Sequence, residues 1–426
     1  MRVLKGVGII VGAAIIAVVV ILTATIVGGK VQTDHDQSEI AAFYETPNPL
    51  PAGKPGDIIR QEKFETPNVP DNAEMYRVLY RTEDQNGKPR VSGAFIVIPK
   101  AEAPAGGRKV LAWAHGTTGM GDACAPSRTK DPINIIPWVN EAIDRGYVVT
   151  ATDYAGLGTE GPQMYLIGQD EARDVVNSVR MARNFPGSHA NKTYGVFGHS
   201  QGGHSSLWTG HVGPEYAPEL DLVGVAAAAP AGELIPLVDG QWNQMAAWVI
   251  GPEVLISFKE RYPDLPTDGI VTDAGMKGYE SMAETCINDA AIEAMIDEKL
   301  GRKFFASNPM DNPVWRKVAE EQSTKPLPKK MPAMMLQSVN DGVVLPSSNS
   351  ILQTTWCKAG SELQSDWLGP LAGNTAPVTL SPMTHMKTGI ASGPLALSWM
   401  YQRFENAPAV NNCNTPPALV HNPPAA

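Results

Sequence analysis

The sequence predicts an α/β protein: a mostly parallel central sheet with helices on both faces and a helical cap inserted late in the chain. Three observations predict it. Short apolar runs alternate with segments of helical periodicity across residues 76–232. The alternation stops at 233–330, where helical pieces mix with Pro-rich stretches. It resumes across 331–404, so the two flanking parts read as one core and 233–330 as the cap.

In chain order, Tyr76–Arg81 and Val91–Pro99 read as strands flanking the turn Asp84-Gln-Asn-Gly87. Val110–Ala114 is an apolar strand that ends in His115-Gly-Thr-Thr-Gly119. A helix is expected over 134–145 and a strand over Tyr147–Asp153. Gly168–Arg183 carries Ala172, Val175, Val176, Val179 and Ala182, an apolar stripe at helical spacing. Thr193–Gly198 and Val223–Ala229 are further strands. Asp289–Leu300 is a helical piece of the cap. After the cap come a strand at Ala333–Val339, a helix near 347–358, a strand at Val378–Leu380 and a helix near 392–404. Residues 30–75 read as a linker and entry arm, and 405–426 as a Pro-rich, irregular tail.

The 426 residues are 43% apolar and 18% charged, enough for a real core and too apolar for global disorder. The formal net charge of −10 argues against non-specific nucleic-acid binding, which needs a basic face. The N-terminus is distinctive. Arg2 and Lys5 precede an uncharged run from Gly6 to Gly29. As a helix that run would span ~36 Å, enough to cross a bilayer. It is long for a signal-peptide core and lacks an A-x-A cleavage site, so residues 1–29 read as a signal anchor in preference to a removed signal. Basic residues before it and Asp34, Asp36 and Glu39 after it orient the body outside the cytoplasm, anchored to the membrane or secreted. Cys124, Cys286, Cys357 and Cys413 form no C-x-x-C pair, which argues against a zinc or redox motif. Export makes disulfides an expectation, with three pairings open. No cofactor and no metal are implied.

The chemistry centres on Gly198-His199-Ser200-Gln201-Gly202-Gly203. This is G-x-S-x-G after an apolar strand and before a helix, the context of a nucleophile elbow. The turn is too tight for side chains two residues either side of the serine. The helix N-terminus behind it favours negative charge. A serine hydroxyl needs a base. Of the eight histidines only His385 and His421 follow the cap, and His421 sits in the tail. His385, in Ser-Pro-Met-Thr-His, is therefore the expected base, on a loop at the sheet edge. Asp341, just past an apolar strand and before Gly342, is the expected acid, with Asp366 as the weaker alternative. The oxyanion donors are expected to be the N–H groups of Gln201 and Thr117, with Gly116 next. His115, His199 and His204 read as structural. Asp153-Tyr154-Ala-Gly156-Leu-Gly158 reads as a pocket wall or equally as a Gly-rich turn. Trp242, Met245, Trp248, Ile250 and Ile256 would suit an acyl tunnel, or ordinary cap core.

Taken together, these segments resemble the secretory lipase family. The resemblance runs from Phe43-Tyr44, through Pro55-Gly56-Asp57-Ile58-Ile59-Arg60, Tyr80-Arg81, Gly93, His115-Gly116-Thr117, Cys124-Ala-Pro-Ser127 and Asp153-Tyr154, to Ser200, Asp341 and His385. It implies an α/β-hydrolase fold with a helical cap, a carboxylic ester or lipid substrate, and the same three site residues. It also implies an oxyanion donor in the loop before Cys124 and a disulfide from that loop to the cap, Cys124–Cys286. Cys357–Cys413 would then tie the last helices to the tail. His199 in the elbow departs from many relatives. Competing readings are acyl transfer through the same triad, a serine peptidase, and a non-catalytic surface-displayed binding protein.

Overall fold

The computed structural model describes residues 33, 35–282, 284–371 and 382–417. It comprises two units, Met1–Glu45 and Thr46–Ala426. In the first, residues 35–44 form helix α1. The apolar run Gly6–Gly29, the expected strand Val378–Leu380 and His421 lie outside the described residues. Among the described residues, no helix is long and apolar enough to cross a membrane.

The second unit is built on one sheet. Its strands are β1 (Ile58–Lys63), β2 (Ala73–Glu83), β3 (Pro89–Pro99), β4 (Arg108–Ala114), β5 (Val148–Thr152), β6 (Ala190–His199), β7 (Asp221–Ala228), β8 (Ala333–Ser338) and β9 (Leu363–Leu368). They lie in the order β1-β2-β3-β5-β4-β6-β7-β8-β9. β1 to β3 pair antiparallel, as does β3 with β5. From β5 through β4, β6, β7 and β8 to β9 every pairing is parallel. Parallel strands need crossover helices, and these cover both faces. α3 (Gly168–Asn184), α4 (Gln201–Tyr216) and α10 (Pro346–Ala359) serve one face; α2 (Val139–Asp144) and α11 (Pro382–Phe404) serve the other.

Burial on both faces explains why the central strands read as continuous apolar runs. In β4, Val110, Ala112 and Ala114 join the α3 side, whereas Leu111 and Trp113 join the α11 side. On that second face Trp113 meets Trp138 and Phe197 with ring centroids 5.3 and 5.2 Å apart, in edge-on geometry. The α3 stripe expected from the sequence, Ala172 to Ala182, is buried throughout.

Between β7 and β8 the chain forms the cap helices α5 (Leu234–Gln241), α6 (Ala246–Arg261), α7 (Asp273–Met282), α8 (Ile287–Lys299) and α9 (Pro313–Gln322). They share their own apolar cluster with Tyr165, Leu166 and Val344 of the core. Both disulfides form as the family resemblance implies, Cys124–Cys286 and Cys357–Cys413. The tail then seals the sheet: Asn412 exchanges side-chain hydrogen bonds with the backbone of Ser365, at 2.7 and 2.9 Å, along the exposed edge of β9.

Three expectations need correction. β1 and β9 are strands where none was expected. α11 begins at Pro382 instead of near residue 392, so His385 stands in a helical first turn and not on a loop.

Candidate active site

β6 runs directly into α4 through Ser200, which has φ 60° and ψ −121°. A non-glycine residue rarely adopts this conformation, and it costs of order 1–3 kcal/mol. The surroundings enforce it. A Cβ on Gly198 would lie 2.0 Å from the Gly202 oxygen, and one on Gly202 1.8 Å from the Ala114 oxygen. The elbow is also pinned by its backbone: Ser200 N–H donates to Ala228 O at 2.9 Å, and Ser200 O accepts from His204 N–H at 3.1 Å. As the first residue of α4, Gln201 has an N–H with no intrahelical acceptor, directed out of the positive end of the helix.

Two strands away, the loop after β8 carries Asp341, almost wholly buried. Its Oδ1 accepts from Val343 N–H at 2.9 Å and Val344 N–H at 3.0 Å. Its Oδ2 lies 2.8 Å from His385 Nδ1. The other ring nitrogen, His385 Nε2, is buried and takes no hydrogen bond. His385 stacks on His199, the residue before Ser200, with ring centroids 4.4 Å apart. His199 Nε2 lies 3.0 Å from the His385 carbonyl oxygen, so it carries the hydrogen of that bond. Burial, and next the repulsion that a protonated His385 would exert, hold His199 well below the usual histidine range, so it stays neutral.

The loop after β4 runs past the elbow. A Cβ on Gly116 would sit 3.4 Å from that of Ser200. His115 at its root is buried, with Nδ1 2.7 Å from Gly116 O and Nε2 3.3 Å from Asp153 O. Thr117 Oγ1 is 2.9 Å from the Tyr165 hydroxyl. Thr118 O accepts from Ile287 N–H at 2.9 Å, beside the Cys124–Cys286 bridge, so the cap is tied to this loop covalently and by its backbone. Asp153 accepts from the backbone N–H and hydroxyl of Ser127. Burial pushes its carboxyl up to about 6.

Ser200 opens onto an apolar pocket between core and cap, with about 860 Å³ of empty space that includes its opening to solvent. Leu234, Trp242, Ile250, Phe305, Trp315 and Val343 are among its walls. Of the five residues for which tunnel and cap core stood as equal readings, Trp242 and Ile250 line the pocket, and all five pack in the cap cluster. None of residues 153–158 reaches the pocket, and Tyr154 instead hydrogen-bonds His115 O and Ser205. Asp366 stays on β9, where its carboxylate accepts from Gln364 at 3.0 Å. His204 is structural, between Glu171 and the Gln322 carbonyl. Among the described residues, one group brings metal-ligand atoms close enough to share an ion: His35, Asp36 and Glu39, on α1.

Sequence reasoning missed three residues around the site. Glu171, in the first turn of α3, is buried and accepts from Gln201 Nε2 at 2.7 Å, Ser205 Oγ at 2.7 Å and Leu166 N–H at 2.9 Å. Tyr165 and Leu166 line the pocket. A charged residue at a buried position of the α3 stripe was the one available signal.

A strained serine at a strand–helix turn, with a buried His–Asp pair stacked on the residue before it and a mostly parallel sheet beneath, is the arrangement of an α/β-hydrolase. Solved structures agree on the fold: Candida antarctica lipase A superposes with a TM-score of 0.68 at 17% identity, covering 89% of each chain. The chain belongs to the secretory lipase family, whose model matches residues 134–412, well over half its length. It is thereby a carboxylic ester hydrolase. Among its relatives, Lipase 6 of Candida albicans is 25% identical over 87% of this chain and 82% of its own. A Mycobacterium tuberculosis protein described as a probable inactive lipase is 23% identical over 87% of this chain and 83% of its own.

Proposed function

We propose that the enzyme cleaves lipid and simpler carboxylic esters through a Ser200–His385–Asp341 triad and an acyl-enzyme intermediate. Asp341 accepts the Nδ1–H of His385, which leaves Nε2 as an unprotonated base and stabilises the imidazolium that forms. Nε2 takes the Ser200 proton as Oγ attacks the ester carbonyl. The N–H groups of Gln201 and Thr117 hold the developing oxyanion. The imidazolium then protonates the departing alcohol, and water repeats the sequence on the acyl-enzyme.

The observation that carries this reading is the 2.8 Å His385–Asp341 contact, in a ring that stacks on His199 of the elbow and keeps Nε2 unengaged. The pocket supports an acyl substrate, because its walls are apolar apart from Gln241, Tyr165 and Ser200 itself. Each methylene buried there contributes about 0.8 kcal/mol, roughly fourfold in preference. The presence of serine, histidine and carboxylate together supports activity over an inactive binding role. Two disulfides support a catalytic body outside the cytoplasm.

The test is hydrolysis of p-nitrophenyl esters of increasing acyl length by the enzyme and by Ser200→Ala. The substitution removes at least about 10³-fold of activity. Undiminished hydrolysis by the variant ends the proposal.

A further inference from the structure

The segment Tyr165-Leu166 touches the pocket, the cap and both proposed oxyanion donors at once. Its side chains form part of the pocket wall beside Ser200. The Tyr165 hydroxyl bonds Thr117 Oγ1 at 2.9 Å. Leu166 N–H donates at 2.9 Å to Glu171 Oε1, the same oxygen that receives the Gln201 side chain at 2.7 Å. The Tyr165 carbonyl accepts from Ser257 Oγ of cap helix α6 at 2.7 Å. These are links of side chain and backbone to the two residues whose N–H groups must converge on one oxygen atom.

The segment is also strained. Leu166 has φ 54°, a left-handed conformation that a branched apolar residue adopts only when its neighbours enforce it. The enforcing contacts are the Glu171 and Ser257 hydrogen bonds and the packing of Tyr165 and Leu166 against the pocket. Both residues are almost wholly buried and line the pocket, so a chain that fills the pocket lies against them.

We propose that Tyr165 is a positioning residue that couples filling of the acyl pocket to the geometry of the oxyanion hole. The proposal rests on the assignment of Thr117 and Gln201 as donors. A long acyl chain presses Tyr165 and Leu166 into place, the hydroxyl holds Thr117, and the hole is set for the tetrahedral intermediate. A short chain leaves the segment free to relax and Thr117 to drift. Because the hole binds the intermediate more strongly than the ground state, the coupling acts on kcat and leaves KM nearly unchanged.

The experiment measures kcat and KM on p-nitrophenyl acetate, butyrate and octanoate for the enzyme, Tyr165→Phe, Thr117→Val and the double variant. Tyr147→Phe serves as the control, because that tyrosine also has a buried hydroxyl, one without a hydrogen-bond partner and outside the site. The enzyme's kcat rises with acyl length. Tyr165→Phe lowers kcat on octanoate about tenfold, with KM within about twofold, and flattens the length dependence, as small misplacements of catalytic groups do. The double variant is no slower than the worse single variant, since both break one contact. Tyr147→Phe leaves kcat and its length dependence as they were. Loss of stability in Tyr165→Phe with an unchanged kcat profile overturns the proposal, as does an equal loss on acetate and octanoate. If Tyr165→Phe does not fold, Thr117→Val alone must flatten the profile, and a parallel profile overturns the coupling. Activity surviving in Ser200→Ala would instead indict the triad assignment beneath it.

Discussion

Asp341→Asn tests the histidine tautomer and nothing else, because the geometry dictates which way the new amide must face. Asp341 Oδ1 receives two backbone N–H groups, from Val343 and Val344, at 2.9 and 3.0 Å. An amide NH2 placed there would meet two donors in a buried site, at a cost of about 1–3 kcal/mol. The asparagine carbonyl therefore occupies the Oδ1 position and its NH2 the Oδ2 position, 2.8 Å from His385 Nδ1. That nitrogen must then accept, so the hydrogen moves to Nε2, and the base that should take the Ser200 proton carries one already. A triad with its carboxylate changed to the amide loses roughly 10⁴-fold in kcat, about 5 kcal/mol of transition-state stabilisation. Volume and backbone bonds are kept, so melting temperature and KM stay close to those of the parent. The assay is steady-state hydrolysis of a soluble p-nitrophenyl ester beside a thermal melt. A variant that keeps a tenth of its kcat would refute the reasoning and return attention to Asp366.

Gly202→Ala abolishes soluble, folded enzyme, because its Cβ would lie 1.8 Å from the Ala114 carbonyl of β4; a melting curve near the parent's would show that the elbow and β4 are not so close. Asp174 gives a pH signature. Burial raises its carboxyl from 3.8 to about 7. The folded state thus binds the proton more tightly, and the associated stability is full below pH ~4 and lost as pH rises towards 7, up to roughly 4 kcal/mol. Urea unfolding of Asp174→Asn against the parent should show the stability difference shifting in the variant's favour across that window, and a flat difference rules out this titration.

The elbow was legible because its constraint is local. Gly198, Ser200 and Gly202 lie within five residues of chain, and the two glycines are forced by clashes within the turn and with the neighbouring strand. The central strands and the place of Asp341 were legible for a similar reason: strands buried on both faces leave continuous apolar runs, and Asp341 follows the end of one. β1 and β9 left no such trace. As edge strands they are partly exposed, with sequences IIRQEK and LQSDWL that mix charge with apolar residues. The sequence places the start of α11 near residue 392 instead of at Pro382. Gly389, before the expected start, is a poor helix former, as are Gly393 and Pro394 inside the expected helix. The two glycines instead permit close packing: a Cβ at 389 would lie 2.9 Å from the His199 ring, and one at 393 would lie 2.5 Å from Trp138. What reads locally as poor helix is what lets the helix carry His385 onto its neighbours.

The pocket shows where one-dimensional reading stops in principle. Its walls come from α5, α6, α9, the 165–166 turn and the loop after Asp341. An apolar side chain facing a cavity and one facing a neighbour have the same identity and periodicity, so Trp242 and Trp248 cannot be told apart until the helices are placed. The polar residues around the site obey a different rule. Glu171 lies almost wholly buried beneath Gln201, and a carboxylate there is tolerated only if its acceptors are filled. Its partners come from Leu166, Gln201, His204 and Ser205. A buried acid in an apolar helical stripe is therefore a statement about its surroundings: several donors must converge on it from elsewhere in the chain. In this enzyme those donors belong to the elbow helix and to the strained turn that walls the apolar pocket, so the same carboxylate that satisfies the core also ties pocket-lining backbone to the residue after Ser200.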